Sequence, residues 1–205
     1  MSHFQTKILH KHASLPARVT QVTTPHGTFT TPSFMPVATR AYMNQLSPDH
    51  ITRTNSQIIL GGNTYHMLVT PGMEVIKKAG GMHNFMNWHG PILTDSGGYQ
   101  VFSLAEKRKV SEAGVEFHSP IDGTKVFLDP EQAITVQHGL NADIVMVFDE
   151  CTSFPATEEE AKNSMLLSMR WAQRGKKAFK ERPGYGLFGI VQGSVYPDIR
   201  EQSAR

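Results

Sequence analysis

Short apolar runs recur along this chain, each followed by polar or glycine residues and then by an amphipathic stretch. The runs lack the strict alternation of apolar and polar residues that marks a strand with one solvated face. They therefore predict strands buried on both faces of a parallel sheet, with helices between them. Five runs follow this pattern: FMPVAT (34–39), QIILGGNTY (57–65), PILTDSGG (91–98), DIVMVFDE (143–150) and GLFGIVQG (186–193).

Capping residues mark the helix starts between these runs. Ser47–Pro48 and Thr70–Pro71 each predict an N-cap followed by a first helical residue. Asp129–Pro130 predicts the start of a helix that ends near Gly139, and a Thr157–Glu160 capping box predicts the longest helix, from 158 to about 181.

Two regions break the alternation of strands and helices. Residues 19–35 and 110–130 each carry strand-forming residues on both sides of a turn, at His26–Gly27 and Asp122–Gly123 respectively. Both predict β-hairpins that are antiparallel additions to a barrel.

Composition limits the possible classes of protein. The 205 residues suit one domain, and a net charge of +2 does not by itself indicate a nucleic-acid or membrane partner. Cys151 is the only cysteine, which excludes an intrachain disulfide and favours a reducing, cytoplasmic location. No apolar run approaches the roughly 18 residues of a membrane span.

Polar residues collect where three of the predicted strands end. The third strand ends in Asp95, Ser96, Gly97, Gly98 and Tyr99, the fourth in DEC (149–151), and the fifth in Gln192 and Gly193. Because loops at the carboxyl ends of parallel strands converge, we expect these groups to form a hydrogen-bonding site. Two acids and an amide suit a planar heterocycle with several N–H donors, on which Tyr99 could stack.

Each of these residues also has a simpler interpretation. Asp95 or Asp149 alone could cap the following helix or turn, and Gly97 and Gly98 could serve a turn that needs positive φ. Tyr99 taken alone fits a core position as well as a stacking one.

Two further sets of residues could carry chemistry. Cys151 fits a buried inert thiol better than a nucleophile, and the spacings of His10 with His12 and of His83 with His89 do not match an H-E-x-x-H site, so no metal is predicted.

On the longest helix, the apolar and basic residues fall on opposite faces. Met165, Met169, Ala172 and Phe179 are expected to pack inward, and Arg170, Arg174 and Lys177 to form a solvated stripe; residues 107–109 (KRK) are better placed to meet phosphates.

The sequence resembles the tRNA-guanine transglycosylases, or queuine tRNA-ribosyltransferases, of bacterial type. The resemblance rests on GGNTYHMLVTPG (61–72), ILTDSGGYQVFSL (92–104), VMVFDECTSFPAT (145–157) and GIVQGS (189–194), which occur in the family's order over essentially the whole chain. It implies an α/β fold, here a partial (β/α)8 TIM barrel of about five βα units (34–205) with an N-terminal antiparallel sheet (1–33) and an inserted β-hairpin.

The resemblance also implies a reaction and site residues. Family members exchange guanine at the wobble position of tRNA for a 7-deazaguanine base, and DEC suggests the form that uses 7-aminomethyl-7-deazaguanine in queuosine biosynthesis. Asp95 would be the catalytic proton acceptor and a base contact, Ser96 to Tyr99 would line the pocket, and Asp149 and Gln192 would bind the polar edge of the base.

The chain departs from the family after its fifth strand. The nucleophilic Asp, the zinc-binding subdomain and part of the commonly homodimeric interface are expected beyond Arg205, so we expect a single, incomplete barrel domain that is inactive alone and holds neither nucleophile nor metal. The alternative is a non-catalytic base- or tRNA-binding module, or a partner subunit of a complete homologue. An unrelated barrel enzyme would need a phosphate site after strands seven and eight.

Overall fold

The structure, a computed structural model, describes residues 4–104, 108–119 and 121–205 and divides into two compact units. Unit 1 contains the residues up to Asp95 together with Gln137–Val145 and Glu181–Gly186. Unit 2 contains Ser96–Val136, Met146–Lys180 and Leu187–Arg205. The chain is mixed α/β, with one parallel and two antiparallel sheets. Among the described residues, no helix combines the length and hydropathy needed to cross a bilayer.

Unit 1 begins with a three-stranded antiparallel sheet in the order β1-β2-β3. Its strands are β1 Gln5–Lys11, β2 Arg18–Thr24 and β3 Gly27–Thr31. Strands β2 and β3 confirm the first predicted hairpin. All seven residues of β1 are exposed, so this strand lacks the buried apolar positions by which a sequence predicts a strand. Hydrogen bonding to β2, and not burial of an apolar face, therefore fixes β1.

A second sheet holds four strands in the order β10-β9-β5-β4. These strands are β4 Ile59–Asn63, β5 Ile92–Asp95, β9 Ile144–Met146 and β10 Gly186–Phe188. The pairs β4–β5 and β5–β9 are parallel, as the four apolar runs predict. The remaining apolar run, 34–39, forms only an isolated parallel bridge between Val37 and Leu60, because Pro36 has no N–H to extend the ladder.

Four short helices complete the elements of unit 1. They are α1 Pro48–Arg53, α2 Thr64–Val69, α3 Met73–Lys78 and α4 Met82–Met86. The Ser47 cap of α1 is confirmed. The predicted helix start at Thr70–Pro71 is wrong: Thr70 is the extended C-cap of α2, since a residue before proline is disfavoured in the α region, and α3 starts two residues after Pro71.

Unit 2 is built from an antiparallel sheet and helices. Its sheet has the order β6-β7-β8, with β6 Arg108–Val110, β7 Val115–His118 and β8 Lys125–Leu128, so the second predicted hairpin gains a third strand. The helices are α5 Gly98–Leu104, α6 Pro130–Leu140, whose last residues belong to unit 1, α7 Glu158–Ala178 and α8 Pro197–Ala204. The Asp129 and Thr157 caps are confirmed, with Asp129 accepting from the Gln132 N–H at 2.7 Å.

A buried carboxylate connects several elements of unit 1. Asp143, whose side chain is fully buried, accepts from His26 Nδ1 at 2.7 Å and from the Ile92 N–H at 2.9 Å. His83 Nε2 lies 3.2 Å from the same carboxylate and 3.1 Å from the Gly90 carbonyl oxygen. A carbonyl only accepts, so the hydrogen bond to Gly90 requires Nε2 to be the donor. These three side chains therefore form a hydrogen-bond network that ties the β2–β3 turn and α4 to the sheet.

We expect Asp143→Asn to lower the free energy of unfolding by about 2–4 kcal/mol, since it leaves buried donors without a charged acceptor. Burial raises the pKa of Asp143, but the hydrogen bonds from His83, His26 and Ile92 outweigh this and hold it below 3.8. The stabilisation is therefore present above pH 3.8 and is lost as the pH falls through the lower folded pKa.

Denaturation experiments check this expectation by measuring the free energy of unfolding of wild type, Asp143→Asn and the exposed control Asp49→Asn. Each protein is measured at neutral pH and at a pH below the usual carboxyl range. Equal stability of all three proteins at neutral pH would contradict the role given to Asp143.

Candidate functional site

Three side chains that follow different strands meet in unit 2. Ser96 follows β5, Asp149 follows β9 and Gln192 follows β10. The Ser96 hydroxyl donates to Asp149 Oδ1 at 3.0 Å, and Gln192 Nε2 donates to Asp149 Oδ2 at 2.7 Å. We call these three residues the strand-end cluster. The convergence predicted for these polar residues is therefore present, with Asp149 at its centre.

Glycine is required at positions 97 and 98 for two different structural reasons. Gly97 has φ +81°, a conformation that residues with a side chain rarely adopt. At Gly98, a Cβ would lie 2.5 Å from the Asp149 carbonyl oxygen and 2.7 Å from Oδ1. The positive-φ interpretation therefore holds for Gly97, whereas Gly98 allows its backbone to approach Asp149. The Gly98 N–H also donates to the Ser96 hydroxyl at 3.3 Å.

The environment of Asp149 disfavours its charge. Burial raises the pKa of the carboxyl above its usual value, and the hydrogen bonds from Ser96 and Gln192 offset this only in part. Each carboxylate oxygen has a second lone pair beyond the one already engaged. Asp149 can therefore accept further N–H donors, and such donors would favour its ionised form.

Asp95 lies at the end of β5 in unit 1, with its own polar partners. Asn63 Nδ2 donates to Asp95 Oδ1, and the Thr64 hydroxyl donates to the Asp95 carbonyl at 2.6 Å. Asn63 also caps α2 by accepting from the His66 N–H at 3.1 Å, so its side chain is held from both ends.

A cavity of about 500 Å³ in unit 2 is lined in part by Gly98, Asp149 and Cys151. Tyr99, at the start of α5, is 60% exposed, so it is not the core residue of the alternative interpretation, and a ring face is available for stacking. Burial, followed by the charges of Asp149 and Glu150, raises the pKa of the half-buried Cys151 thiol. A raised pKa keeps the thiol protonated, which favours the inert role over a nucleophilic one.

Two of the three residues of the expected basic stripe on α7 form ion pairs within unit 2. Arg170 pairs with Glu112 at 2.8 Å, and Arg174 pairs with Glu131 at 2.6 Å while also donating to the Glu112 carbonyl at 2.7 Å. These arginines bond the β6–β7 turn and α6 to α7, and the third residue of the stripe, Lys177, is exposed. In the segment 107–109, Lys107 lies outside the described residues.

Sequence reasoning missed three polar residues. Asn63 ends β4 just as Asp95 ends β5, so the strand-end rule could have found it. Ser164 and Ser168 lie on the buried face of α7, where the periodicity predicts only apolar residues. That face consists of Ala161, Ser164, Met165, Ser168, Trp171 and Gly175, while the predicted inward residues Met169, Ala172 and Phe179 are half-buried.

We expect Asp149→Asn to leave the melting temperature unchanged or to raise it by a few degrees at pH 7. A carboxyl whose folded pKa is raised contributes stability below its unfolded pKa of 3.8 and loses it as the pH rises through the folded value. The neutral amide removes this penalty, and rotation of the Gln192 amide restores the pairing. Thermal denaturation of wild type, Asp149→Asn and the control Asp129→Asn checks this expectation. A large fall in melting temperature in Asp149→Asn alone would contradict it.

Known proteins resemble this chain over most of its length. The family model described as "Queuine tRNA-ribosyltransferase" matches residues 13–205. The chain is 52% identical over 205 residues to the queuine tRNA-ribosyltransferase of Rickettsia felis, and the match covers all of this chain and 56% of the relative. It is 52% identical over 181 residues to that of Shewanella oneidensis, covering 87% of this chain and 48% of the relative.

The chain thus spans about half the length of the curated relatives it matches. Because the family model covers nearly all of it, the chain belongs to the queuine tRNA-ribosyltransferase family.

Proposed function

We propose that this chain carries the base-recognition part of a tRNA-guanine transglycosylase. The reaction exchanges guanine at the anticodon wobble position of tRNA for 7-aminomethyl-7-deazaguanine, a step in queuosine biosynthesis. The observation that carries the proposal is the pairing of Asp149 with both Ser96 and Gln192 where three strands end. Family membership supports the reaction class.

The strand-end cluster is complementary to the polar edge of guanine and of its 7-deaza relatives. That edge has a ring N–H and an exocyclic amino group as donors beside a carbonyl acceptor. Asp149 accepts the donors through its free lone pairs, and Gln192 supplies an amide that both donates and accepts. A hydrogen-bonding site of this kind rejects bases without the donors, because a bound base would cover the half-buried Asp149 acceptor and leave it unpaired.

Asp95 and Tyr99 complete the recognition in this proposal. Asn63 holds the Asp95 carboxylate, which acts as proton acceptor and base contact. Tyr99 stacks on the face of the base with its exposed ring. Gly97 and Gly98 let the backbone approach the base closely, which a side chain would prevent.

The chemistry requires charge to be stabilised on both fragments. When the N-glycosidic bond breaks, the electron pair leaves with the base and the ribose carbon becomes electron-deficient. A carboxylate traps the sugar, and the incoming base, once deprotonated, displaces that carboxylate. The proposal assigns base recognition and proton transfer to this chain and assigns no nucleophile to its 205 residues.

The remaining parts of the proposal come from the family resemblance. They are a (β/α)8 barrel that includes the parallel sheet, a tRNA partner, a homodimer and a cytoplasmic location. The zinc site of three cysteines and a histidine does not fit these residues, since Cys151 is the only cysteine. No step of the proposed reaction depends on a metal.

Calorimetric titration with 7-aminomethyl-7-deazaguanine tests the proposal. We expect the wild-type chain and the matched control Asp129→Asn to bind the base, and Asp149→Asn to bind it at least about tenfold more weakly, because one acceptor is lost. Absence of binding by folded wild-type chain, or equal binding by both variants, would contradict base recognition at Asp149.

Incorporation of labelled guanine into tRNA with a wobble guanine separates the two functions considered. Base binding without incorporation supports the incomplete transglycosylase, whereas activity that is restored only by a full-length companion chain supports a base-binding module or partner subunit. Incorporation that Asp95→Asn abolishes would place the whole exchange, including the nucleophile, within these residues.

A further inference from the structure

Two buried serines face the site from helix α7. Ser164 and Ser168 are 6% and 5% exposed, and they are four residues apart, which places them on one face of the helix. Serines inside helices commonly bond to the carbonyl one turn earlier. The hydroxyls of Ser164 and Ser168 instead meet the loop that carries Asp149.

The contacts concern the backbone directly after Asp149. The Glu150 N–H donates to the Ser168 hydroxyl at 2.9 Å. The Thr152 hydroxyl donates to the Ser164 hydroxyl at 2.7 Å, and both serine hydroxyls lie 3.4 Å from the Glu150 carbonyl oxygen. Two peptide groups of this loop are therefore bonded to α7.

The peptide between Asp149 and Glu150 is bonded to α7 at one end and packs against Gly98 at the other. Ser168 bonds its N–H, and its carbonyl oxygen lies where a side chain at position 98 would collide with it. Rotation of this peptide would break the bond to Ser168. The Asp149 side chain extends from the Cα that bounds this peptide, so the bond sets where the side chain starts, while Ser96 and Gln192 hold the carboxylate itself.

Helix α8 holds Gln192 by a similar contact. The Gln192 N–H donates to the Ser203 hydroxyl at 3.0 Å, while the Gln192 side chain donates to Asp149 at 2.7 Å. A serine on the next helix thus bonds the backbone at each of these two strand ends, and both bonds constrain a residue of the strand-end cluster.

We propose that Ser168, assisted by Ser164, is a positioning residue that directs the Asp149 carboxylate toward the polar edge of the bound base. This inference rests on the proposed function, because it assumes that Asp149 recognises the base. It adds a role for a helix residue that does not touch the base. Packing alone would explain a small residue at 168, but not a hydroxyl bonded to the loop.

Ser168→Ala tests the inference in two ways, one of which needs no ligand. In the free chain we expect hydrogen exchange at the Glu150 amide to be about tenfold faster, because its acceptor is lost. We also expect binding of 7-aminomethyl-7-deazaguanine to be about tenfold weaker. The control Thr135→Ala removes an exposed helix hydroxyl that bonds only within α6, and it should change neither value.

A double-mutant cycle distinguishes positioning from general destabilisation. If Ser168 acts through Asp149, Ser168→Ala should weaken binding by less than about twofold in an Asp149→Asn background. Equal losses in the two backgrounds would overturn the inference, as would unchanged base affinity with faster amide exchange. If Ser168→Ala does not fold, Ser164→Ala is expected to weaken binding by about threefold, and unchanged binding would likewise overturn the inference.

The outcomes also separate this inference from the function on which it rests. No base binding by wild type contradicts the proposed function, and the positioning role for base recognition falls with it. Base binding by wild type together with unchanged Glu150 exchange in Ser168→Ala contradicts the inference alone.

Discussion

The candidate site depends on one half-buried carboxylate with two neutral donors. Asp149 links the chain after β9 to Ser96, after β5, and to Gln192, after β10. Neutral donors hold the carboxylate in place without a permanent countercharge, so burial still raises the pKa of Asp149. A ligand with N–H donors can then supply the stabilisation that the protein leaves out. This environment suits reversible recognition of a base better than a permanent ion pair would.

Asp143 shows the opposite arrangement in unit 1. It also lies next to a strand end and is fully buried, but the donors from His83, His26 and the Ile92 backbone lower the pKa of its carboxyl. The two aspartates are six residues apart and bracket the same strand, β9. Asp143 has three described donors within the fold, whereas Asp149 has two and retains accepting capacity for a ligand. Hydrogen-bond partners, and not sequence position, separate their roles.

The parts of the structure that could be predicted are those in which local chemistry and tertiary contacts agree. Apolar runs located β4, β5, β9 and β10, and side-chain caps located the starts of α1, α6 and α7. The residue pattern does not reveal β1, because backbone pairing with β2 stabilises it without a buried face, and only the family resemblance implied an antiparallel sheet there. Thr70–Pro71 was mistaken for a helix start because the same residue pair can also end a helix. Ser164 and Ser168 were missed because their partners are backbone groups of a distant loop.

The proposed function requires Asp149 to bind the base as an ionised acceptor, and a ¹³C NMR titration of its carboxyl tests this requirement. In the free chain the carboxyl should titrate above 3.8, and saturation with 7-aminomethyl-7-deazaguanine should lower its pKa, because donors from the base favour the charged form. By linkage, base affinity should fall as the pH is lowered through the pKa of the free carboxyl. An Asp149 titration curve that is identical with and without bound base would contradict recognition of the base by this carboxylate.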